Sequence, residues 1–308
     1  MNKGVLAGIG AYLLWGLFPI YWRWLEQDPA IEILAHRMVW SLVFMVGLLT
    51  VQKEWRWLGP VLRNRRTVLT YLLAAILLSL NWYTYIWAVN AGYVVEASLG
   101  YFINPLVNFL FGVIFLGEKL RVGQVGAVVL AGAGVVYLTV SYGSLPWISL
   151  VLAVTFGLYG LIKKTAPLES VHGFSLETLV LFLPALAYLL YRNASGIGAF
   201  GHQGLLITGL LFMAGPVTSI PLLLFGYSAR KIPLSMLGFI QYITPTLQFL
   251  LGVFVYFEPF PQARLVGFCI IWIALLVYSL EGVFFNRRSS PIPPLSPLPS
   301  NGKEKINN

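Results

Sequence analysis

Runs of hydrophobic residues long enough to cross a lipid bilayer recur along the whole chain, separated by short polar segments. A transmembrane helix needs about 20 consecutive apolar residues. The pattern predicts ten such helices, at residues 4–22, 32–51, 68–90, 94–116, 122–141, 147–162, 176–191, 205–227, 234–257 and 265–285. The sequence therefore predicts an all-α polytopic membrane protein.

Composition and charge agree with that pattern. Of the 308 residues, 58% are hydrophobic and only 10% are charged, whereas soluble domains have about 25% charged residues. The basic residues behind the net charge of +9 lie mainly in alternate connecting segments. With a cytoplasmic N-terminus, inner segments hold about 16 basic residues and outer segments hold 3, as the positive-inside rule requires. Both termini are therefore expected in the cytoplasm, and nucleic acid is not an expected partner.

An internal repeat divides the chain into two halves. Residues 102–118 match residues 242–258 at an offset of about 140 residues. The register aligns Pro105 with Pro245, Gly112 with Gly252, and Glu118 with Glu258. We predict a first repeat at 4–142, a second at 146–285, and a disordered cytoplasmic tail at 286–308. Five helices per repeat is an odd number, so the second copy must be inverted, as in many secondary transporters.

Matching polar faces lie on the fourth and ninth predicted helices. Positions i, i+3 and i+7 are Tyr101, Asn104 and Asn108 on the fourth helix, and Gln241, Thr244 and Gln248 on the ninth. Polar side chains within a bilayer need protein or water partners. They either line a shared solute cavity or form hydrogen bonds that hold the helices together.

The third predicted helix adds Asn81 and Tyr85 on one face, among several tryptophans. Aromatic rings at this density bind planar or cationic solutes. They equally serve as core or interfacial residues, so we name Asn81 and Tyr85 as candidate solute contacts and leave both alternatives open.

The second predicted helix has the most polar patch, with His36 and Arg37. A cation below the membrane surface needs a partner, and Glu96 and Glu32 are the candidates. We predict that His36, Arg37 and Glu96 form either a static ion-pair network at the outer mouth or a proton-coupling site.

Pro105 and Pro245 lie inside the fourth and ninth predicted helices, at matching positions of the repeat. Each removes a backbone hydrogen bond and favours a kink. The two prolines are candidate hinges, with a static bend as the alternative.

Enzyme motifs are absent from the sequence. The three histidines are scattered, and no H-E-x-x-H or G-x-S-x-G motif occurs. We therefore expect no catalytic residues, no metal and no cofactor.

Several strings together resemble a known family. ASLGYFINPLVNFLFGVIFLGEKL and its repeat SMLGFIQYITPTLQFLLGVFVYFEP look like the EamA domain of the drug/metabolite transporter superfamily. EILAHRMVWS, NWYTYIWAVNAG and AGPVTSIPLLLFGYSAR resemble its RarD branch, often labelled chloramphenicol-sensitive permeases. The resemblance implies two inverted five-helix repeats in the bacterial inner membrane and outward transport of small metabolites or drugs, but no particular substrate.

The leading hypothesis is a secondary transporter that works by alternating access. Its expected partners are a small-molecule solute and the lipid bilayer, with protons as a candidate coupling ion. A membrane sensor or interaction protein that uses the same fold without flux is the alternative, and an intramembrane enzyme is disfavoured.

Overall fold

The computed structural model describes residues 2–90, 93–142, 147–255 and 262–288, and within these ranges the regular structure is entirely helical. The α-helices are α1 (Lys3–Arg23), α2 (Ala30–Gln52), α3 (Leu58–Arg63), α4 (Arg65–Asn90), α5 (Val94–Leu116), α6 (Val122–Tyr142), α7 (Trp147–Thr165), α8 (Ser170–Ala194), α9 (Leu205–Lys231), α10 (Leu234–Gln241), α11 (Ile243–Leu250) and α12 (Gln262–Arg288). A π-helical turn, Leu251–Val255, follows α11.

Seven of the described helices, α1, α2, α4, α6, α7, α8 and α9, contain a segment long and apolar enough to cross a membrane. Shorter apolar segments lie in α5 (Gly100–Leu116) and α12 (Leu265–Tyr278). The chain is therefore an all-helical, multi-pass membrane protein. The predicted tail overlaps α12 up to Arg288, and residues 289–308 lie outside the described residues.

The sixth and seventh predicted helices are longer in the structure than hydropathy predicts. Helix α8 begins at Ser170, six residues before the predicted start, and α7 continues to Thr165. Several polar residues in these extensions have partners within the protein, for example the Ser170 hydroxyl, which donates to the carbonyl of Leu223 over 2.7 Å. A polar stretch can continue a membrane helix when its side chains are satisfied within the protein.

The ninth predicted helix, residues 234–257, is not continuous. It divides at Tyr242 into α10 and α11, and the π-helical turn follows. Pro245 lacks the N–H group that would donate to the carbonyl of Gln241, which explains a break at this position. Helix α5, by contrast, continues through Pro105.

Two glycine contacts bring helices of the two halves together. A β-carbon at Gly16 of α1 would lie 2.6 Å from the side chain of Leu247 on α11. At the matching positions of the repeat, a β-carbon at Gly157 of α7 would lie 2.7 Å from the side chain of Val107 on α5. The sequence therefore uses glycine twice for the same helix crossing, once in each half.

Candidate functional site

A cavity of about 250 Å³ lies at the centre of the helix bundle. Eight helices contribute to its wall, which consists of Tyr12, Trp15, Phe18, Pro19 and Trp22 from α1, Arg37 from α2, Asn81, Trp82 and Tyr85 from α4, Gly100, Tyr101 and Asn104 from α5, Leu152 and Phe156 from α7, Leu222 from α9, Gln241 from α10, and Thr244 and Gln248 from α11. Eight of these 18 residues are aromatic, and the described wall also has amides, hydroxyls and a guanidinium group.

Most of the candidate solute contacts lie in this wall. Tyr101, Asn104, Gln241, Thr244, Gln248, Asn81 and Tyr85 all line the cavity. Asn108 does not. Its side-chain nitrogen donates to Oε1 of Gln241 over 2.8 Å and to Oδ1 of Asn104 over 3.2 Å. Asn108 therefore positions two cavity-lining amides, and solute contact by the other candidates stays a prediction.

The same polar side chains also hold the helices together, in a pattern that the repeat duplicates. The side-chain nitrogen of Asn104 donates to the carbonyl of Ala153 over 2.8 Å, which connects α5 to α7. The hydroxyl of Thr244, at the equivalent position, donates to the carbonyl of Tyr12 over 2.8 Å, which connects α11 to α1. The two interpretations of the polar faces, cavity lining and helix bonding, are thus compatible in one structure.

Another lining amide is fixed by the neighbouring helix. The side-chain nitrogen of Asn81 donates to the carbonyl of Leu152 over 2.8 Å and to the hydroxyl of Thr155 over 3.0 Å. Tyr85 packs edge-to-face on Tyr101, with ring centroids 5.9 Å apart. These contacts hold α4 against α7 and α5, so this part of the wall is preformed.

Arg37 lines the cavity, whereas His36 faces away from it. The Nε–H of Arg37 donates to the hydroxyl of Thr218 over 2.9 Å, and its guanidinium lies 4.3 Å from the ring of Trp82 and 4.9 Å from that of Trp22. The imidazole of His36 stacks on Phe200 at 5.3 Å. The two side chains therefore point in different directions. A proton-coupling role for His36 stays a prediction.

Glu32, one of the two predicted acidic partners of Arg37, forms an ion pair with Arg192 instead. Glu32 is buried and accepts hydrogen bonds from Arg192, at 2.7 and 3.1 Å, and from the N–H of Ala199 at 2.7 Å. Glu32 is therefore not the acidic partner of Arg37. The side chain of Glu96, the other candidate, lies outside the described residues. Nearby, burial raises the pKa of the Asp28 carboxyl in the loop after α1.

The candidate hinge prolines differ in their surroundings. Pro105 lies within α5, where its carbonyl would be 2.7 Å from a β-carbon at Gly238 of α10. Pro245 lies in the first turn of α11, just after the break at Tyr242. The two helices thus cross closely at Pro105, and a hinge role for either proline stays a prediction.

Several wall residues were not identified from the sequence, namely Trp15, Phe18, Trp22, Leu152 and Phe156. A hydrophobic side chain on a membrane helix gives the same sequence signal whether it faces lipid, core or cavity. One signal was available, because WGLF at Trp15 and FGLY at Phe156 are weakly repeated. These two rings contact each other at 5.8 Å, between the two halves.

Next to the cavity, aromatic rings of α1, α7 and α9 pack closely against one another. Phe225 is fully buried and stacks on Tyr159 with ring centroids 5.9 Å apart and planes at 12°. Tyr12 packs edge-to-face on the same phenyl ring at 6.3 Å. These packed rings close the cavity on the side towards the end of α7.

Many secondary transporters bind their substrate in a central cavity between helices of two repeats. The sequence model of the EamA-like transporter family matches residues 2–140. A solved crystal structure has the same fold, with a TM-score of 0.67 at 20% identity, and the match covers 93% of this chain and 99% of that one.

Curated relatives are similar in sequence to this chain over nearly its whole length. The uncharacterized transporter YojE of Bacillus subtilis is 46% identical over 291 residues, which is 94% of this chain and 97% of the relative. The protein RarD of Streptomyces exfoliatus is 48% identical over 288 residues, 94% of this chain and 91% of the relative. The chain belongs to the EamA-like transporter family, in its RarD branch, and is a membrane transporter of that family.

Proposed function

We propose that the chain is a secondary transporter that exports small metabolites or drugs across the bacterial plasma membrane by alternating access. In this proposal ten membrane helices form two inverted five-helix halves, and both termini lie in the cytoplasm. The observation that carries the proposal is the duplicated pair of hydrogen bonds, Asn104 to Ala153 and Thr244 to Tyr12, both in contact with the central cavity.

Helix packing supports the inverted arrangement. By the repeat offset, the counterparts of α1, α2, α4 and α5 in the second half are α7, α8, α9 and the pair α10 and α11. The contact of α1 with α9 then corresponds to that of α7 with α4, and both contacts occur. Likewise, the contact of α2 with α9 corresponds to that of α8 with α4, and the contact of α1 with α11 corresponds to that of α7 with α5, and these contacts also occur. Such a correspondence is what a two-fold axis between the halves would produce, and an odd number of helices per half would place that axis in the membrane plane.

Side-chain hydrogen bonds of Glu118 and Lys164 connect helices on the closed side of the cavity, and a change of conformation could break them. The carboxylate of Glu118 accepts from the N–H groups of Leu234 and Ser235, at 2.6 and 3.0 Å, at the start of α10. The ammonium of Lys164 donates to the carbonyls of Ala229 and Ile232, at 3.2 and 2.6 Å. We expect these contacts to close the cytoplasmic side in this conformation, so that opening inwards requires their release.

The proposal predicts that cavity amides are needed for flux. Asn104→Leu and Gln248→Leu each remove a lining amide and add apolar surface, so we expect saturable flux in proteoliposomes to fall at least about tenfold. The transported solute would first be selected by thermal-shift screening of metabolites and amphiphilic drugs, since a ligand of the folded state raises its melting temperature. Flux would then be measured with the labelled hit.

Ile114→Leu is a matched control, because Ile114 is an exposed side chain on the same helix as Asn104. We expect its flux to equal that of the wild type. Unchanged flux in both amide variants would exclude the proposed solute site. Tight, saturable binding with no flux in the wild type would favour the alternative function, a membrane sensor.

A further inference from the structure

Among the described residues that line the cavity, Arg37 has the one charged side chain. The rest of the described wall is aromatic, aliphatic, amide or hydroxyl in character. A guanidinium keeps its positive charge under all physiological conditions. The cavity therefore presents a fixed positive charge to whatever enters it.

The described neighbours leave this charge without a counter-ion. The ion pairs of the described residues join Lys163 to Glu177 and Glu32 to Arg192, among others, and none includes Arg37. Its hydrogen bond to a described residue uses Nε, with the hydroxyl of Thr218 as acceptor. No hydrogen bond joins the two terminal nitrogens of the fork to a described residue, so within this part of the chain they can donate to an acceptor that enters from the cavity.

Two indole rings hold the guanidinium in place. The rings of Trp82 and Trp22 lie 4.3 and 4.9 Å from its central carbon, within the range of cation–π attraction. This attraction offsets part of the cost of burying the cation but leaves the net charge unchanged. A planar fork held in this way matches a carboxylate, which accepts two parallel hydrogen bonds.

The other wall residues indicate which further chemical groups the solute has. Trp15, Phe18 and Phe156 supply aromatic faces, and Gln241 and Gln248 supply amides. A cavity of about 250 Å³ has room for one or two fused rings with a short side chain.

We propose that the cavity selects small aromatic carboxylic acids, with Arg37 binding the carboxylate and the indole and phenyl rings packing on the aromatic group. This inference rests on the proposed transport function, because it assigns the substrate class of the same cavity. A solute amine would meet the fixed positive charge and would be rejected. An uncharged solute of equal size would gain only the contacts with the rings.

Three probes that share one ring system test this preference, namely indole-3-acetate, tryptamine and tryptophol, which are an acid, an amine and an alcohol. Binding to the full-length protein in nanodiscs would be measured by calorimetry. We expect indole-3-acetate to bind at least about tenfold more tightly than either other probe. Arg37→Gln should weaken the acid at least about tenfold and leave tryptophol within about twofold.

Two further variants separate the site from general effects. Arg37→Lys keeps the charge without the planar fork, so we expect acid affinity between those of the wild type and Arg37→Gln. Arg23→Gln removes an exposed charge at the end of α1, outside the cavity wall, and should bind all three probes as the wild type does. A shared loss of folding would appear as loss of the tryptophol signal.

Several results would overturn the inference. They are a preference for tryptamine, equal binding of the three probes, undiminished acid binding by Arg37→Gln, or no acid binding by the folded wild type. Acid binding that appears only in Glu96→Gln would also overturn it, because Arg37 would then be neutralised within the protein. Acid-selective binding without flux in proteoliposomes would instead overturn the proposed function and leave the binding preference intact.

Discussion

Replacing Glu177 with glutamine is expected to lower the free energy of unfolding by about 3–5 kcal/mol, because it leaves a buried cation without its counter-ion. The ammonium of Lys163 lies 2.9 Å from Oε1 of Glu177, and both side chains are almost fully buried, at 3% and 1% exposure. The hydroxyl of Tyr159 donates to the other carboxylate oxygen over 3.0 Å. Unfolding by denaturing detergent in mixed micelles, followed by tryptophan fluorescence, would measure the change.

A control is available in the more exposed pair of Arg121 and Glu281, whose side chains are 43% and 18% exposed. Glu281→Gln should cost about 1 kcal/mol or less, since such pairs contribute little. The double variant Lys163→Met with Glu177→Leu should recover much of the lost stability, because no charge is then buried alone. Equal effects of Glu177→Gln and Glu281→Gln would show that burial does not govern this pair.

Gly215→Ala is expected to destabilise the protein by about 2–3 kcal/mol, through overpacking at a helix crossing. A β-carbon at Gly215 of α9 would lie 2.3 Å from the carbonyl carbon of Trp40 and 2.4 Å from its oxygen. Backbone atoms of α2 cannot move aside as a flexible side chain can, so the two helices must separate. The same unfolding titration would report the loss.

Gly209, on the same helix, provides the control. No atom lies within 4 Å of a β-carbon placed there, apart from the backbone of its own helix. Gly209→Ala should therefore be neutral or should stabilise the protein by up to about 1 kcal/mol through helix propensity. If Gly215→Ala were equally neutral, the close contact of α2 with α9 would be wrong.

The sequence predicted those features that depend on periodicity. Tyr101, Asn104, Gln241, Thr244 and Gln248 share helix faces by their spacing, and the structure places all of them on one cavity. Polar residues are informative in a membrane protein because lipid cannot satisfy them. The repeat offset likewise predicted which of them correspond, and the bonds of Asn104 and Thr244 show the same correspondence.

Features that depend on contacts between distant segments were not predictable from one sequence. Glu32 pairs with Arg192, which is 160 residues away, and nothing local selects it over Arg37. Asn108 lies on the same face as Asn104 but bonds to Gln241 instead of lining the cavity. The break at Tyr242 depends on how the carbonyl released by Pro245 is accommodated in three dimensions.

The central claim is that two inverted halves enclose the cavity, and labelling of equivalent loops tests it most directly. Lys53 follows the second helix of the first half and His202 follows the second helix of the second half, and both residues are exposed. In a Cys269→Ser background, Lys53→Cys and His202→Cys would each be labelled in intact cells with a membrane-impermeant maleimide. We expect labelling at position 202 from outside and at position 53 only after the membrane is opened, whereas reaction of both positions from the same side would contradict the inverted architecture.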